Sequence, residues 1–360
     1  MTEDRMTVLV AMSGGVDSSL AAALLVEQGH RVIGATMKTF CYSENGGPQN
    51  TCCGLEGIMD ARAICDRLDI PHYVFDMEEA FTRDVIDDFV AEYAAGRTPN
   101  PCVRCNSNTK IPDLLRKGRM LGADVIATGH YARTRIDDDG THHVLRGVDR
   151  GKDQTYFLWG VPREVARHML FPVGELTKAE VREKARELGL VTADKPESQE
   201  ICFVPTNDYT DFLETRLGAD HPALSPGRMV TSTGETVGEH GGYARYTVGQ
   251  RKGLGGGFRR PLYVLGVRPR TNEVVVGGAE ELERTDLAIG DLNWLDEPPT
   301  AGERVEVQIR HRARAVAATV ESVDDAEVRL RLDTPQRAVT PGQSGVVYRG
   351  EVLVGGGRIR

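Results

Sequence analysis

The chain has 360 residues, 40% hydrophobic and 27% charged, which excludes disordered and fibrous classes and divides into two or three domains rather than one core. No apolar run reaches about 18 residues, so no membrane span is expected, and Glu3, Asp4 and Arg5 sit where a secretory signal would be apolar. Seven cysteines, an odd and sparse set, point to a reducing cytoplasm where clustered cysteines are catalytic or metal-binding, and a net charge of -9 argues only weakly against a nucleic-acid partner.

Thr7–Ala11 is a short β-branched apolar run, read as a buried strand. Ser13–Ser19 is a glycine turn, Ser18–Gln28 an alanine-rich helix stopped by Gly29, and Arg31–Met37 a second strand. That βαβ order predicts a parallel sheet covered by helices. Gly57–Leu68, Ala80–Ala95 and Lys110–Leu121 read as helices, with strands at His72–Asp76 and Asp124–Thr128. Thr177 and Glu180 have capping-box spacing and open a helix to Leu188, stopped by Gly189. Thr192–Gln199 is a polar loop and Leu217–Gly227 a linker by composition. Beyond it glycine and β-branched residues dominate, with short runs at Tyr263–Val267, Glu273–Val276, Val305–Ile309 and Ala315–Val320. This half is expected to be all-β, one or two small barrels. The expected division is an α/β nucleotide-binding domain over 1–216, a small β-rich domain over 217–282 and a β-barrel over 283–360.

Ser13-Gly14-Gly15-Val16-Asp17-Ser18-Ser19 stands between strand and helix. Its glycines let the backbone approach a ligand closely, and the amides at the helix start face an anion, which suits a pyrophosphate. It lacks the Lys-Ser/Thr ending of a Walker A loop and is not Gly-x-Gly-x-x-Gly. The bland alternative is a plain strand-to-helix turn. Between Gly241 and Asn272 lie seven basic residues and no acid, with Tyr243, Tyr246 and Phe258 interleaved. That mixture reads either as an RNA face or as a solvated loop with barrel-core aromatics.

Ser13–Ser19 resembles the pyrophosphate loop of the ATP-pyrophosphatase superfamily, whose members adenylate a substrate oxygen. Pro99-Asn100-Pro101-Cys102-Val103-Arg104-Cys105, Ala127-Thr128-Gly129-His130-Tyr131, Lys152–Leu158 and Ser198–Phe203 follow in an order that resembles the tRNA-specific 2-thiouridylase family along nearly the whole chain. The resemblance implies an enzyme that thiolates the wobble uridine (position 34) of tRNA with ATP and Mg²⁺. Ala11, Met12, Ser13, Gly14, Gly15, Val16, Asp17 and Ser18, with Met37 and Gly129, would bind ATP. Cys105 matches the nucleophile and Cys202 the persulfide carrier, with a transient disulfide between them. Asn100, Pro101 and Cys102 would touch the target base. Lys152, Asp153 and Gln154 would contact the tRNA, as would Arg310 and His311, the latter where the family has an aromatic residue. The sulfur would come from a cysteine desulfurase or a relay protein, in the cytoplasm and without a membrane.

Cys102 departs from the family pattern, which has an aspartate there. A thiolate can accept a proton in its place. Alternatively Cys102, Cys105 and Cys202 would ligate a [4Fe-4S] cluster with one open iron; structural zinc lacks a fourth ligand, so no metal residue is assigned. Cys65 reads as a buried small hydrophobe, Cys52-Cys53 and Cys41 carry no assignment, His130 reads as a hydrogen-bonded structural residue, and His142 and His143 as surface residues of a hairpin-like loop. Another adenylating synthetase of the superfamily, and a non-enzymatic tRNA-binding module switched by ATP, stay open as alternatives.

Overall fold

The computed structural model describes residues 5–39, 55–197, 201–204, 208–256 and 260–360. Cys41, Cys52, Cys53, Ser198–Glu200, Phe258 and Arg259 lie outside them.

The first sheet runs β1 (Thr7–Ala11), β2 (Arg31–Lys38), β3 (His72–Asp76) and β4 (Val125–Thr128), completed by Met169–Leu170. Its order is β3-β2-β1-β4 followed by Met169–Leu170, every neighbouring pair parallel. Order reverses between β1 and β4, and the cleft at the carboxyl ends of strands flanking such a reversal is where doubly wound sheets bind ligands. Helix α1 (Val16–Glu27) follows β1 and buries residues on all sides, among them Leu20, Ala21 and Ala22. Gly29, at φ +84°, ends it as expected. Helix α2 (Leu55–Arg67) packs Ala61, Ile64 and Cys65 inward; burial pushes the Cys65 thiol up to about 12, so this cysteine is inert packing. Thr177 caps Lys178–Glu187 with the reciprocal bonds that its spacing with Glu180 implied.

Two helical stretches are interrupted in a way that their sequences do not announce. The expected helix over Ala80–Ala95 is helical from Glu78 to Ala94 but π-helical over Thr82–Ile86. The expected helix from Lys110 begins earlier, at Pro101, and is π-helical over Cys105–Lys110. π-turns are rare and concentrate at functional sites.

Past Leu217 the chain forms two β structures. Gly227–Thr231, Thr236–His240, Tyr263–Arg268 and Glu273–Gly277 make a four-stranded sheet. The last six strands, from Glu283–Trp294 to Val352–Ile359, close into a barrel through pairing of those two strands. A further hairpin, Ala132–Ile136 with His142–Arg146, extends the barrel sheet from the far side of the chain through Leu145 opposite Val352. His143 is therefore not a surface residue. It lies between Asp296, at 2.5 Å, and Asp137, at 3.0 Å, and ties the hairpin to the barrel.

Candidate active site

Gly14 takes φ +69°, and a Cβ there would stand 2.4 Å from the Gly57 carbonyl oxygen. Only glycine allows the loop to pass this close to α2. The Ser13 amide donates to Ser18 Oγ at 3.2 Å, and Ser18 Oγ donates to the Gly15 carbonyl at 3.1 Å. No side chain caps α1, so its first amides are left for a ligand, the arrangement that binds phosphate at helix starts. Gly129, just after β4, has Ser18 N 2.6 Å from where its Cβ would be. Met37, near the end of β2, is 7% exposed. The expected nucleotide residues thus gather at the carboxyl ends of β1, β2 and β4.

Asp17 is the acidic side chain of this loop, and its partners form a chain of charges. Tyr131 donates to it at 2.8 Å. Lys178 bridges Asp17 at 2.7 Å and Glu197 at 2.8 Å, and Lys152 reaches Glu197 at 2.7 Å. Burial alone would raise the Glu197 carboxyl, but hydrogen bonds and charge from Lys152 and Lys178 bring it down to about 2. Lys178 and Glu197 carry no motif of their own, and sequence reasoning missed them. Together they join the pyrophosphate loop to the segment that precedes Cys202.

The consequence for stability has a definite sign. A carboxyl held below its ordinary value of 4.5 stabilises the fold above that value and loses its contribution as pH falls towards 2. Removing one partner of such a charge-assisted set costs about 1–3 kcal/mol. Glu197→Gln is expected to lower unfolding free energy by a constant amount from pH 7 to 5, with the gap to the unsubstituted protein shrinking below pH 4.5. Urea titrations across that range check it.

The cysteines share one cavity of about 540 Å³. Cys102, Cys105 and Cys202 line it with Lys110, His130 and His311 among others. Cys102 is exposed, while Cys105 and Cys202, both thiols, are half-buried. Asn100 starts the helix of the first two by accepting from the Val103 amide at 3.4 Å. A π-turn closes i→i+5 bonds, which brings Cys105 and Lys110 to the same face and so to the same cavity. Cys202 is placed by its neighbour: Phe203 is 1% exposed and packs edge-on against Phe81 and Phe89, centroids 5.8 and 5.2 Å away. Among the described residues no group of three His, Cys, Asp or Glu side chains could hold a metal ion.

His130 accepts or donates at 2.8 Å with Thr128 Oγ1, and burial, then Lys110, lowers its imidazole to about 3. It is neutral at physiological pH. His311 tilts over Phe157 with centroids 4.5 Å apart, and partial burial, then Arg312, lowers it as well. A flat neutral ring at the cavity rim is suited to stacking on a base.

Other expected contacts lie elsewhere. The Asp153 side chain is 7% exposed and pairs with Arg146 at 3.2 Å, the Gly147 amide at 3.0 Å and Thr155; it shapes the loop from within. Gln154 lines the cavity yet accepts from the Tyr131 amide at 3.0 Å. Arg310 is exposed and donates to the Arg337 carbonyl. In the basic segment Tyr243 is 3% exposed with its hydroxyl on the Ala94 carbonyl, so it is a core aromatic, not a stacking platform. Arg245, Arg260 and Arg268 pair with Glu214, Glu280 and Glu273, whereas Arg251 and Lys252 are exposed.

The barrel holds the approach to the helix of Cys102 and Cys105 as well as lining the cavity. Gln343 Nε2 donates to the Thr98 and Pro99 carbonyls, both at 3.1 Å, and Arg358 pairs with Asp88 at 2.6 Å and Glu92 at 3.1 Å. This fastens the approach to Asn100.

Family profiles match in three consecutive stretches: a tRNA methyl transferase HUP domain at 6–206, a tRNA methyl transferase PRC-barrel domain at 210–278 and an aminomethyltransferase beta-barrel domain at 284–359. A curated tRNA-specific 2-thiouridylase MnmA of Carboxydothermus hydrogenoformans is 51% identical, covering 99% of this chain and 98% of its own. Proteins of the same name from Geobacter metallireducens and Acidithiobacillus ferrooxidans are each 49% identical, over 100% and 98% of this chain and 98% and 97% of theirs. A solved 4-thiouridine synthetase–RNA complex with bound ATP covers 59% of this chain and 51% of its own, at 14% identity and TM-score 0.36, too slight a likeness to bear on the site.

Proposed function

The chain belongs to the tRNA-specific 2-thiouridylase family, and on that premise we propose that it replaces O2 of the tRNA wobble uridine with sulfur, at the expense of ATP. The observation that carries this reading is the meeting of Cys105 and Cys202 in one cavity whose walls connect, through Glu197 and Lys178, to Asp17 of the pyrophosphate loop.

ATP lies with its phosphates on Ser13–Ser18, and Mg²⁺ bound with them would offset their charge. Asp17, paired with Lys178, is the loop's carboxylate that would hold it. The uridine O2 attacks the α-phosphate, pyrophosphate leaves, and C2 becomes electrophilic. The flipped base enters past Pro101 and His311, which line the cavity. The terminal sulfur of a Cys202 persulfide attacks C2 and AMP departs. The Cys105 thiolate then attacks Cys202 Sγ, the persulfide S–S bond breaks with its electron pair on the 2-thio sulfur, and a Cys105–Cys202 disulfide remains. A cysteine desulfurase or sulfur-relay protein in the cytoplasm recharges Cys202.

The profile descriptions mention methyl transfer, but a preformed methyl donor has no use for a triphosphate cradle, and a pair of half-buried thiols beside one suits sulfur transfer. The test is reconstitution: purified protein, unmodified tRNA, ATP and a persulfide donor. Nucleoside mass spectrometry is expected to find 2-thiouridine, formed only with ATP. A methylated nucleoside, or no product from protein that binds both ATP and tRNA, would overturn the reading.

The tRNA should also touch the exposed pair at the turn of the basic segment. Arg251→Glu with Lys252→Glu is expected to weaken tRNA binding and to reduce the slope of log affinity against log salt by about 1–2, as lost phosphate contacts release fewer counterions. ATP affinity without tRNA should not move. Filter binding at several salt concentrations measures both.

A further inference from the structure

Three thiols line the cavity, and the chemistry above uses two. The third, Cys102, differs from the others in exposure: it faces solvent at the rim, while Cys105 and Cys202 are half-buried. Cys102 and Cys105 are three residues apart on one helical run, neighbours on its surface with the C-x-x-C spacing that supports reversible disulfides. The Lys110 side chain lines the same cavity. The carboxylate of the cavity wall, Glu197, is committed to two lysines, so it is not a proton acceptor for these thiols.

Each turnover leaves Cys105 and Cys202 oxidised, and Cys202 has to be a thiolate again before it can accept sulfur. That disulfide joins two half-buried sulfurs, whereas Cys102 stands exposed at the rim of the same cavity. We propose that Cys102 is the resolving thiol that releases Cys202, an inference that rests on the thiolase reading above. The Cys102 thiolate attacks Cys105 Sγ; the Cys105–Cys202 bond breaks and its electron pair leaves on Cys202 Sγ, which is then ready for recharging. The new Cys102–Cys105 disulfide sits at the exposed rim. A dithiol protein of thioredoxin type reduces it, giving two electrons and becoming a disulfide itself. Electrons therefore enter at one end of the thiol series and sulfur at the other.

The experiment compares the unsubstituted protein with Cys102→Ser, each preloaded with persulfide on Cys202, in multiple turnovers with ATP, tRNA, persulfide donor and a thioredoxin-type dithiol. The variant is expected to make one 2-thiouridine per chain and then fall at least tenfold in rate, with a Cys105–Cys202 disulfide accumulating in peptide mass spectra. Tris(2-carboxyethyl)phosphine, small enough to enter the cavity, should restore its turnover. The unsubstituted protein, quenched in the steady state, should show a Cys102–Cys105 disulfide. Turnover of the variant at the unsubstituted rate with the dithiol protein would overturn the inference. So would loss of the first equivalent in a variant that still carries the persulfide, which is the outcome if Cys102 ligates iron. Failure of the unsubstituted protein to thiolate at all would instead sink the thiolase reading.

Discussion

Gly14→Val is expected to abolish ATP-dependent pyrophosphate release while tRNA binding is retained. A β-branched residue at φ +69° is strained by about 1–2 kcal/mol, and its Cβ would meet backbone atoms of Gly57 at 2.4 and 2.7 Å, which α2 cannot move aside cheaply. Overpacking of this kind adds about 1–3 kcal/mol, so nucleotide affinity should fall on the order of a hundredfold or more. Circular dichroism establishes whether the variant folds. Ser18→Ala supplies a milder companion: it removes the hydroxyl that holds the Ser13 amide at 3.2 Å and should cost roughly tenfold in ATP affinity, about the value of one hydrogen bond. Ordinary pyrophosphate release by a folded Gly14→Val protein would refute the nucleotide site.

Substituting the two cavity cysteines should separate two steps of one reaction. With Cys202→Ser no persulfide can form, so no sulfur label should remain on the protein after incubation with a labelled donor. With Cys105→Ser the label should appear and persist, because nothing breaks the persulfide bond. Both variants should lose thiolation by on the order of a thousandfold or more, as removal of a covalent participant does. Both should still release pyrophosphate when tRNA is added, since adenylation uses the loop around Asp17 and not the thiols. Thiolation at the unsubstituted rate by Cys105→Ser would overturn the pairing. The serine substitutions are nearly isosteric, and the segment carrying Cys202 is held by Phe203 among Phe81, Phe89 and Phe212, so neither change should disturb the fold.

The barrel's grip on the segment leading to Cys102 and Cys105 bears on both experiments. Arg358 of the last strand reaches Asp88 and Glu92, and Gln343, just before the strand Ser344–Arg349, reaches the carbonyls of Thr98 and Pro99, so the barrel fastens the approach to Asn100 and the cysteines. The same barrel presents His311 and Arg312 to the cavity. One body thus both fastens the segment that leads to Cys102 and Cys105 and lines the cavity that holds them.

How much of this was legible in the sequence depends on the range of the physics involved. Local rules were enough for β1, the glycine loop, α1 with its stop at Gly29, β2 and the capping box at Thr177, because apolar period, turn chemistry and capping act over a few residues. The roles proposed for the loop and for the two principal cysteines also rest on residue type and order, and the fold adds that Cys105 and Cys202 line one cavity. Three things were decided only by tertiary structure. The π-turn over Cys105–Lys110 depends on packing against its neighbours, and no local propensity announces it. The Lys152–Glu197–Lys178–Asp17 series joins residues up to 161 positions apart, and its members look like ordinary surface charges until folding sets them side by side. The inward turn of Asp153 and the burial of Tyr243 came from the same cause: a polar or aromatic side chain declares what it can bond with, but only the packed chain determines whether that partner is RNA or the protein itself.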